Sequence, residues 1–195
     1  VDERVFLVIA YNKGSTSSPE LKYILCEFDP SANLDFSDTF TGTAGVFNVS
    51  SHFSNGAKVS VLSGTDFLGE FTVAGGNVDV SGVDNTLTSV EIGFPFNVIA
   101  KTMPIDGAIQ GGPLTGQQRS ISKVIVDLKD TFSVNVNDTE LILRNVNSNF
   151  SLGRQPTTGK HEFRFLGYGR DPVVTISQSS PLPLDINGLI AEVSF

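Results

Sequence analysis

RDPVVTISQSSPLPLDINGLIAEVSF, residues 170–195, reads as a strand, a stiff crossing and a second strand. Val173, Thr175 and Ser177 alternate with Val174, Ile176 and Gln178, the period-two pattern of a half-buried strand. Pro181 and Pro183 fix two φ angles and remove two amide donors, so residues 180–184 cannot lie in the middle of a ladder. Residues that precede proline are driven to extended geometry, which puts Leu182 and Leu184 on one side of a straight segment. Asn187-Gly188 is a turn signal, and beyond it Leu189, Ala191, Val193 and Phe195 alternate with Ile190, Glu192 and Ser194. Nothing catalytic is written here, so this run acts by packing and pairing.

The rest of the chain has the same character. It has 195 residues with 19 Gly, 9 Pro and 15 Phe, one Met and no Trp, the usage of sheets joined by tight turns. A chain of this length can form one large β domain or two small ones without a disulfide or metal staple. Cys26 is the single cysteine, which rules out an intrachain disulfide. A net charge of −8 argues against a surface that grips nucleic acid through its phosphates. No apolar run approaches the length of a membrane span, and no segment resembles a signal peptide. The sequence opens without Met on an apolar strand, and we expect it to be a fragment or cleaved product preceded by more protein.

VFLVIA at 5–10 and LKYILCEF at 21–28 predict a hairpin with a long tip and two well-buried strands. Residues 31–45 are polar, Thr-rich and acidic, and read as an irregular crossing. KVSVL at 58–62, FLGEFTV at 67–73 and NVDV at 77–80 are short alternating segments. Asn55-Gly56, Ser63-Gly64 and Gly75-Gly76 punctuate them at hairpin spacing, which predicts a small barrel or meander. TSVEIGF at 88–94 is the next strand, stopped by Pro95. The longest aperiodic stretch, 103–119, holds four glycines and two prolines and reads as a loop of a length that is usually functional or disordered. In ISKVIVDL at 121–128, Val124, Val126 and Leu128 share one face, with Lys123 and Asp127 on the other. Phe132, Val134 and Val136, then residues 141–146 and 162–166, follow the same rule. Gly, Asp, Asn and β-branched residues crowd every window, so we expect no helix and an all-β fold of short antiparallel strands in sandwich or small-barrel units.

No catalytic constellation can be read from the residues. There is no G-x-S-x-G, and His52 and His161 each sit beside an apolar strand position, as structural or surface histidines do. One Cys and two distant His do not make a zinc set. Asp79, Asp84 and Asn85 fall off the alternating positions of a calcium loop. Paired glycosidase carboxylates meet in space rather than sequence, but zero Trp and three Tyr offer few sugar platforms, and the phenylalanines are better read as core. Lys123, Lys129, Arg144 and Arg164 alternate with Asp127, Asp130 and Glu162, as on a solvated sheet face. Gly75-Gly76 and Gly111-Gly112 lack the helix start and Lys-Ser/Thr pair of a phosphate loop. The glycosylation triplets at Asn48, Asn137 and Asn149 read mostly as coincidence in so Asn- and Ser-rich a chain. We expect no enzyme, metal or cofactor.

Five places in order carry a resemblance. They are RVFLVI at 4–9 with LKYILCE at 21–27; GAKVSVL at 56–62 with FTVAGGNV at 71–78; and VEIGFPF at 90–96 leading to KTMP at 101–104. RSISKV at 119–124, running on to Asp130-Thr131, is the fourth. The last comprises TGK at 158–160, FLGY at 165–168, Asp171-Pro172 and PLPL at 181–184. In this order they resemble the C-terminal part of the tail nozzle protein of short-tailed bacteriophages, also called tail tubular protein B. Family members are much longer and carry a β-propeller upstream. Cys26 departs from the family's strand pattern.

The resemblance implies a virion structural protein, made in the host cytoplasm, that assembles as a hexameric ring of identical subunits. The ring would meet a tail adaptor protein and tail fibres and conduct DNA during ejection through a lumen whose like charge keeps DNA from sticking. It implies that residues 1–29 close a preceding propeller and that 30–103 form a small barrel or meander. A long Gly/Pro loop follows at 104–119, and 120–195 form a sandwich-like platform that ends in the PLPL crossing and final strand. Asp171, Pro172, Pro181, Leu182, Pro183 and Leu184 are its structural signature. In the long loop, Asp106, Gly107, Gln110, Gly111, Gly112, Gln117, Gln118 and Arg119 are candidate subunit or lumen contacts. Two other readings stay open: a receptor- or glycan-binding β domain of a tail fibre or surface protein, and a glycan-active enzyme on a β scaffold.

Overall fold

A computed structural model describes residues 4–12, 17–29, 32–104, 108–109, 112–113, 118–143, 154–165, 169 and 172–194. The described residues contain no helix, and every sheet is antiparallel. The fold is all-β, and the chain divides into two compact units, Val1–Phe96 and Asn97–Phe195.

The first unit begins with the hairpin of β1 (Phe6–Asn12) and β2 (Leu21–Glu27), paired from Phe6↔Glu27 to Asn12↔Leu21. Its strands are not well buried. Val8 is 72% and Leu25 67% exposed, because among the described residues the two strands form a sheet of their own with no layer on the outward face. A six-stranded sheet follows, built from β3 (Asp35–Thr43), β4 (Val46–Asn48), β5 (Lys58–Ser63), β6 (Asp66–Thr72), β7 (Asn77–Asp79) and β8 (Ser89–Phe94). Its order is β6-β5-β8-β3-β4-β7. The sheet curls into a half-barrel, and the Ala74↔Asn77 bridge closes the turn that leads from edge strand β6 to edge strand β7.

Bulges between Asp35 and Asp38 and between Val61 and Leu62 supply the bend. The turns fall at the predicted dipeptides, with Gly56, Gly64, Gly75 and Gly76 all at positive φ. Phe53 stands at the centre of the interior, edge-on to Phe94 at 5.1 Å and to Phe36 at 5.8 Å. Phe40 and Phe47 are buried with it, but Phe6, Phe28 and Phe96 are exposed, so phenylalanine is not core throughout.

The expected crossing at 31–45 is instead largely β3. Its Thr39, Thr41 and Thr43 point outward while Phe40 is buried between them, and threonine suits such a half-exposed strand.

In the second unit, β9 (Val98–Lys101) pairs with β16 (Thr175–Gln178), which moves the boundary between units from 103/104 to 96/97. A two-residue ladder joins β10 (Ala108–Ile109) to β11 (Gly112–Pro113). The long strand β12 (Ser120–Thr131) lies between β15 (Thr157–Arg164) and β17 (Asp185–Ser194). A second sheet has the order β14-β13-β16-β9, with β13 at Asn135–Val136 and β14 at Thr139–Glu140. Val124, Val126 and Leu128 of the first sheet, Val136 and Ile176 of the second, and Val134 just before β13 share one core, as in a sandwich. Leu141–Leu143 are not in a strand, and 144–146 lie outside the described residues.

The opening stretch behaves as its alternation predicts. Val174, Ile176 and Gln178 are buried, and Leu189, Ala191 and Val193 pack on the core while Ile190 is exposed. Asn187-Gly188 is no turn, however. Asp127 pairs with Gly188 and Leu128 with Ile186, so Asn187 is the extra residue of a bulge inside β17.

Candidate functional site

Of the loop residues singled out above, Asp106, Gly107, Gln110, Gly111 and Gln117 lie outside the described residues. Gly112 begins β11 and pairs with Ile109, and Gln118 is exposed. Arg119 is buried inside the second unit, where its backbone exchanges two hydrogen bonds of 2.7 Å with Gly169. Of the signature residues, Asp171 lies outside the described set, Pro172 is half-buried and Pro181 is buried. Leu182 is 4% exposed, and Leu184 packs against the sandwich core. The crossing is pinned from two sides: Gln178 Nε2 donates to Leu182 O at 2.9 Å and Ser133 O at 3.0 Å, and the Phe132 amide donates to Pro183 O at 3.1 Å.

Charged groups elsewhere are arranged for structure. Lys123 meets Glu192 across β12 and β17 at 2.7 Å. Their hydrogen bond and mutual attraction raise the lysine pKa and lower that of the carboxylate. Arg164 pairs with Glu162 at 2.6 Å. Asp79 accepts from the hydroxyl and amide of Ser81, and Asp84 from those of Thr86, which holds both carboxyls below their ordinary pKa. Each therefore fastens a turn. His161 Nε2 lies 3.0 Å from Thr157 Oγ1. Among the described residues no group of His, Cys, Asp or Glu could hold a metal ion, and no helix is long and apolar enough to cross a membrane.

A further feature lies in the first unit, where the hairpin overhangs the half-barrel. Tyr11 anchors it: its hydroxyl donates to His52 O and its ring meets Phe36 edge-on at 5.6 Å. Burial pushes the Tyr11 pKa up; Lys22 pulls it back and Glu20 adds to the rise. His52 in turn sits on Phe40, with Nε2 3.2 Å from Asp38 Oδ2 and Nδ1 2.7 Å from Ser51 Oγ. By register, Leu7, Ile9 and Tyr11 of β1 share one hairpin face with Lys22, Ile24 and Cys26 of β2. Leu7, Ile9, Ile24 and Cys26 of that face, the β2 edge on through Asp29, and the start of β3 enclose a groove of about 920 Å³. The opposite face carries Phe6, Val8, Leu21, Tyr23 and Leu25, each at least half exposed.

The sequence did not reveal this groove. VFLVIA is apolar on both faces, which reads as burial on both, and no residue pattern tells which cover is present. Comparison with protein-family models gave no match to this chain, and comparison with curated proteins gave none either.

Proposed function

We propose that this chain is a non-enzymatic assembly component of a short-tailed phage virion, a subunit of the tail nozzle ring. The observation that carries the assembly half of this reading is the hairpin. Its outward face exposes Val8, Leu21, Tyr23 and Leu25 by 62–74%, a contiguous apolar strip of the kind that interaction sites present. The nozzle half rests on the five motifs and their order, of which Leu182 and Leu184 hold their crossing against the second unit. The charge of −8 suits a wall past which DNA slides. In this reading identical subunits close a hexameric ring, the adaptor protein and tail fibres meet it in the virion, and DNA passes without lasting contact.

The test is direct. An antibody raised against this chain, applied to short-tailed particles that encode it, should label the tail in negative stain, and the labelled part should show ring symmetry. Label on fibres alone, or on no particle component, refutes the nozzle reading.

A further inference from the structure

The groove beneath the hairpin is bordered by two strand edges that lack a neighbouring strand among the described residues. β2 is paired with β1 only. β3 pairs with β8 from Asp35 to Thr41 on one side, while β4 reaches it only at Gly42 and Thr43 on the other. Residues 24–29 and 34–39 line the groove without a gap, whereas β1 contributes only Leu7 and Ile9. Consecutive lining at 24–27 means that β2 faces the groove edge-on, because a strand seen from its face presents every second residue; in β3 the bulge at 35–38 breaks that alternation, and its open edge is read from Thr39. Gly42 donates to Thr88 on the β8 side, so by alternation the Thr39 amide points to the open side, where Asp38 Oδ1 accepts from it at 2.7 Å. That contact keeps one edge amide satisfied while no strand lies beside it.

The chemistry of the walls selects the occupant. The floor is apolar, with Leu7, Ile9, Leu34 and Phe36. The carboxylates Glu27, Asp29, Asp35, Asp38 and Glu91 line it as well; Glu27 is met by Arg4 at 3.4 Å, and among the described residues no lysine or arginine lines the groove itself. A second copy of this chain, at −8, is electrostatically the wrong guest. We propose that the groove takes up an extended segment of a different protein, with alternating apolar and cationic side chains, as an added β-strand beside β2 and β3. Main-chain hydrogen bonds to the open edges hold it, its apolar side chains fill the floor, and its cations meet the carboxylates. A volume of about 920 Å³ is at the upper end of ordinary ligand clefts, about 300–1,000 Å³. The proposal does not depend on the ring reading.

Fluorescence anisotropy with the full chain tests it, using three labelled nonapeptides: alternating Val and Lys, alternating Val and Glu, and the Val/Lys peptide with a central Pro. The Val/Lys peptide should bind at least about tenfold more tightly than either other peptide, and more weakly as salt rises from 50 to 500 mM. Asp35→Lys/Glu91→Lys should weaken it at least about tenfold, while Val8→Ser/Tyr23→Ser, on the opposite hairpin face, should leave it unchanged. Circular dichroism checks the fold of each variant, and the peptide and salt series on the unaltered chain stand even where a variant misfolds. No binding, equal binding of the Pro peptide, or loss on the outward-face variant alone overturns the proposal.

Discussion

Gln178→Met removes the side chain that ties the proline crossing to the rest of the second unit. Gln178 is 4% exposed, and its Nε2 donates to both Leu182 O and Ser133 O. Methionine matches the length and fills the space but donates nothing, so two carbonyls lose their donor. Each net hydrogen bond contributes about 1 kcal/mol, and each buried carbonyl left without a partner costs about 1–3 kcal/mol. Partial relaxation toward solvent at the Ser133 end favours the lower values, and we expect a loss of about 2–4 kcal/mol. For a unit of about 100 residues this lowers the thermal midpoint by about 8 °C or more. Calorimetry should show the change in the transition of the second unit only, with urea unfolding giving the free energy. Gln178→Glu makes the reasoning sharper: it should cost more at pH 7 than at pH 4, because only the protonated carboxyl can donate to one of those carbonyls. A loss below about 0.5 kcal/mol for Gln178→Met, or pH-independent behaviour of Gln178→Glu, refutes the reasoning.

Three further outcomes follow from the same geometry. Gly93→Ala should destabilise the first unit by about 1–3 kcal/mol in urea, since its Cβ would stand 2.7 Å from Leu34 Cβ and 2.8 Å from Asp35 O. Pro183→Gly keeps the carbonyl that accepts from Phe132 but loosens the unfolded chain, and should cost about 1 kcal/mol; an unchanged thermal midpoint counts against it. The carboxyls of Asp79 and Asp84 have depressed pKa values, so their stabilisation is present above the unfolded value near 4 and is lost as pH falls through the lower folded values. Asp79→Asn/Asp84→Asn should therefore flatten the fall in urea midpoint between pH 5 and pH 2, and an unaltered slope would reject that assignment.

The strands with strict alternation were legible from sequence because one face of each meets a core. Val124, Val126 and Leu128 in β12 are fully buried, and Val174 and Ile176 lie inward where period two puts them. The turns at Gly56, Gly64 and Gly75-Gly76 were legible because their backbone needs positive φ. Composition misled at β3, where threonine and aspartate read as loop but serve as the outward positions of a strand. It misled again at Asn187-Gly188, since the same dipeptide that makes a turn also suits a bulge when a partner strand runs alongside. The groove was invisible for a different reason: apolar residues on both faces of β1 read as burial on both, whereas Phe6 and Val8 are at least half exposed and no residue pattern marks where the groove lies. The loop contacts proposed at 104–119 depended on a glycine count, and of these Arg119 turned out to be buried beside Gly169.

The bulged strand β17 also sets an order of events. β12 takes its two neighbours from residues 157–164 and 185–194, so the central strand of this sheet stands without either edge until long loops have closed. The half-barrel, by contrast, draws all its pairings from residues 35–94. On a ribosome the first unit can therefore complete its ladder while the second still waits for its last strand, and in refolding the sandwich should be the slower phase. Pulsed hydrogen exchange would register this as protection of the β12 amides facing β17 arriving together with those of β17, after the half-barrel has closed. The bulge at Asn187 then does more than bend a strand: it fixes the register in which this late arrival must dock, because a slip of one residue there would turn Leu189, Ala191 and Val193 away from the core.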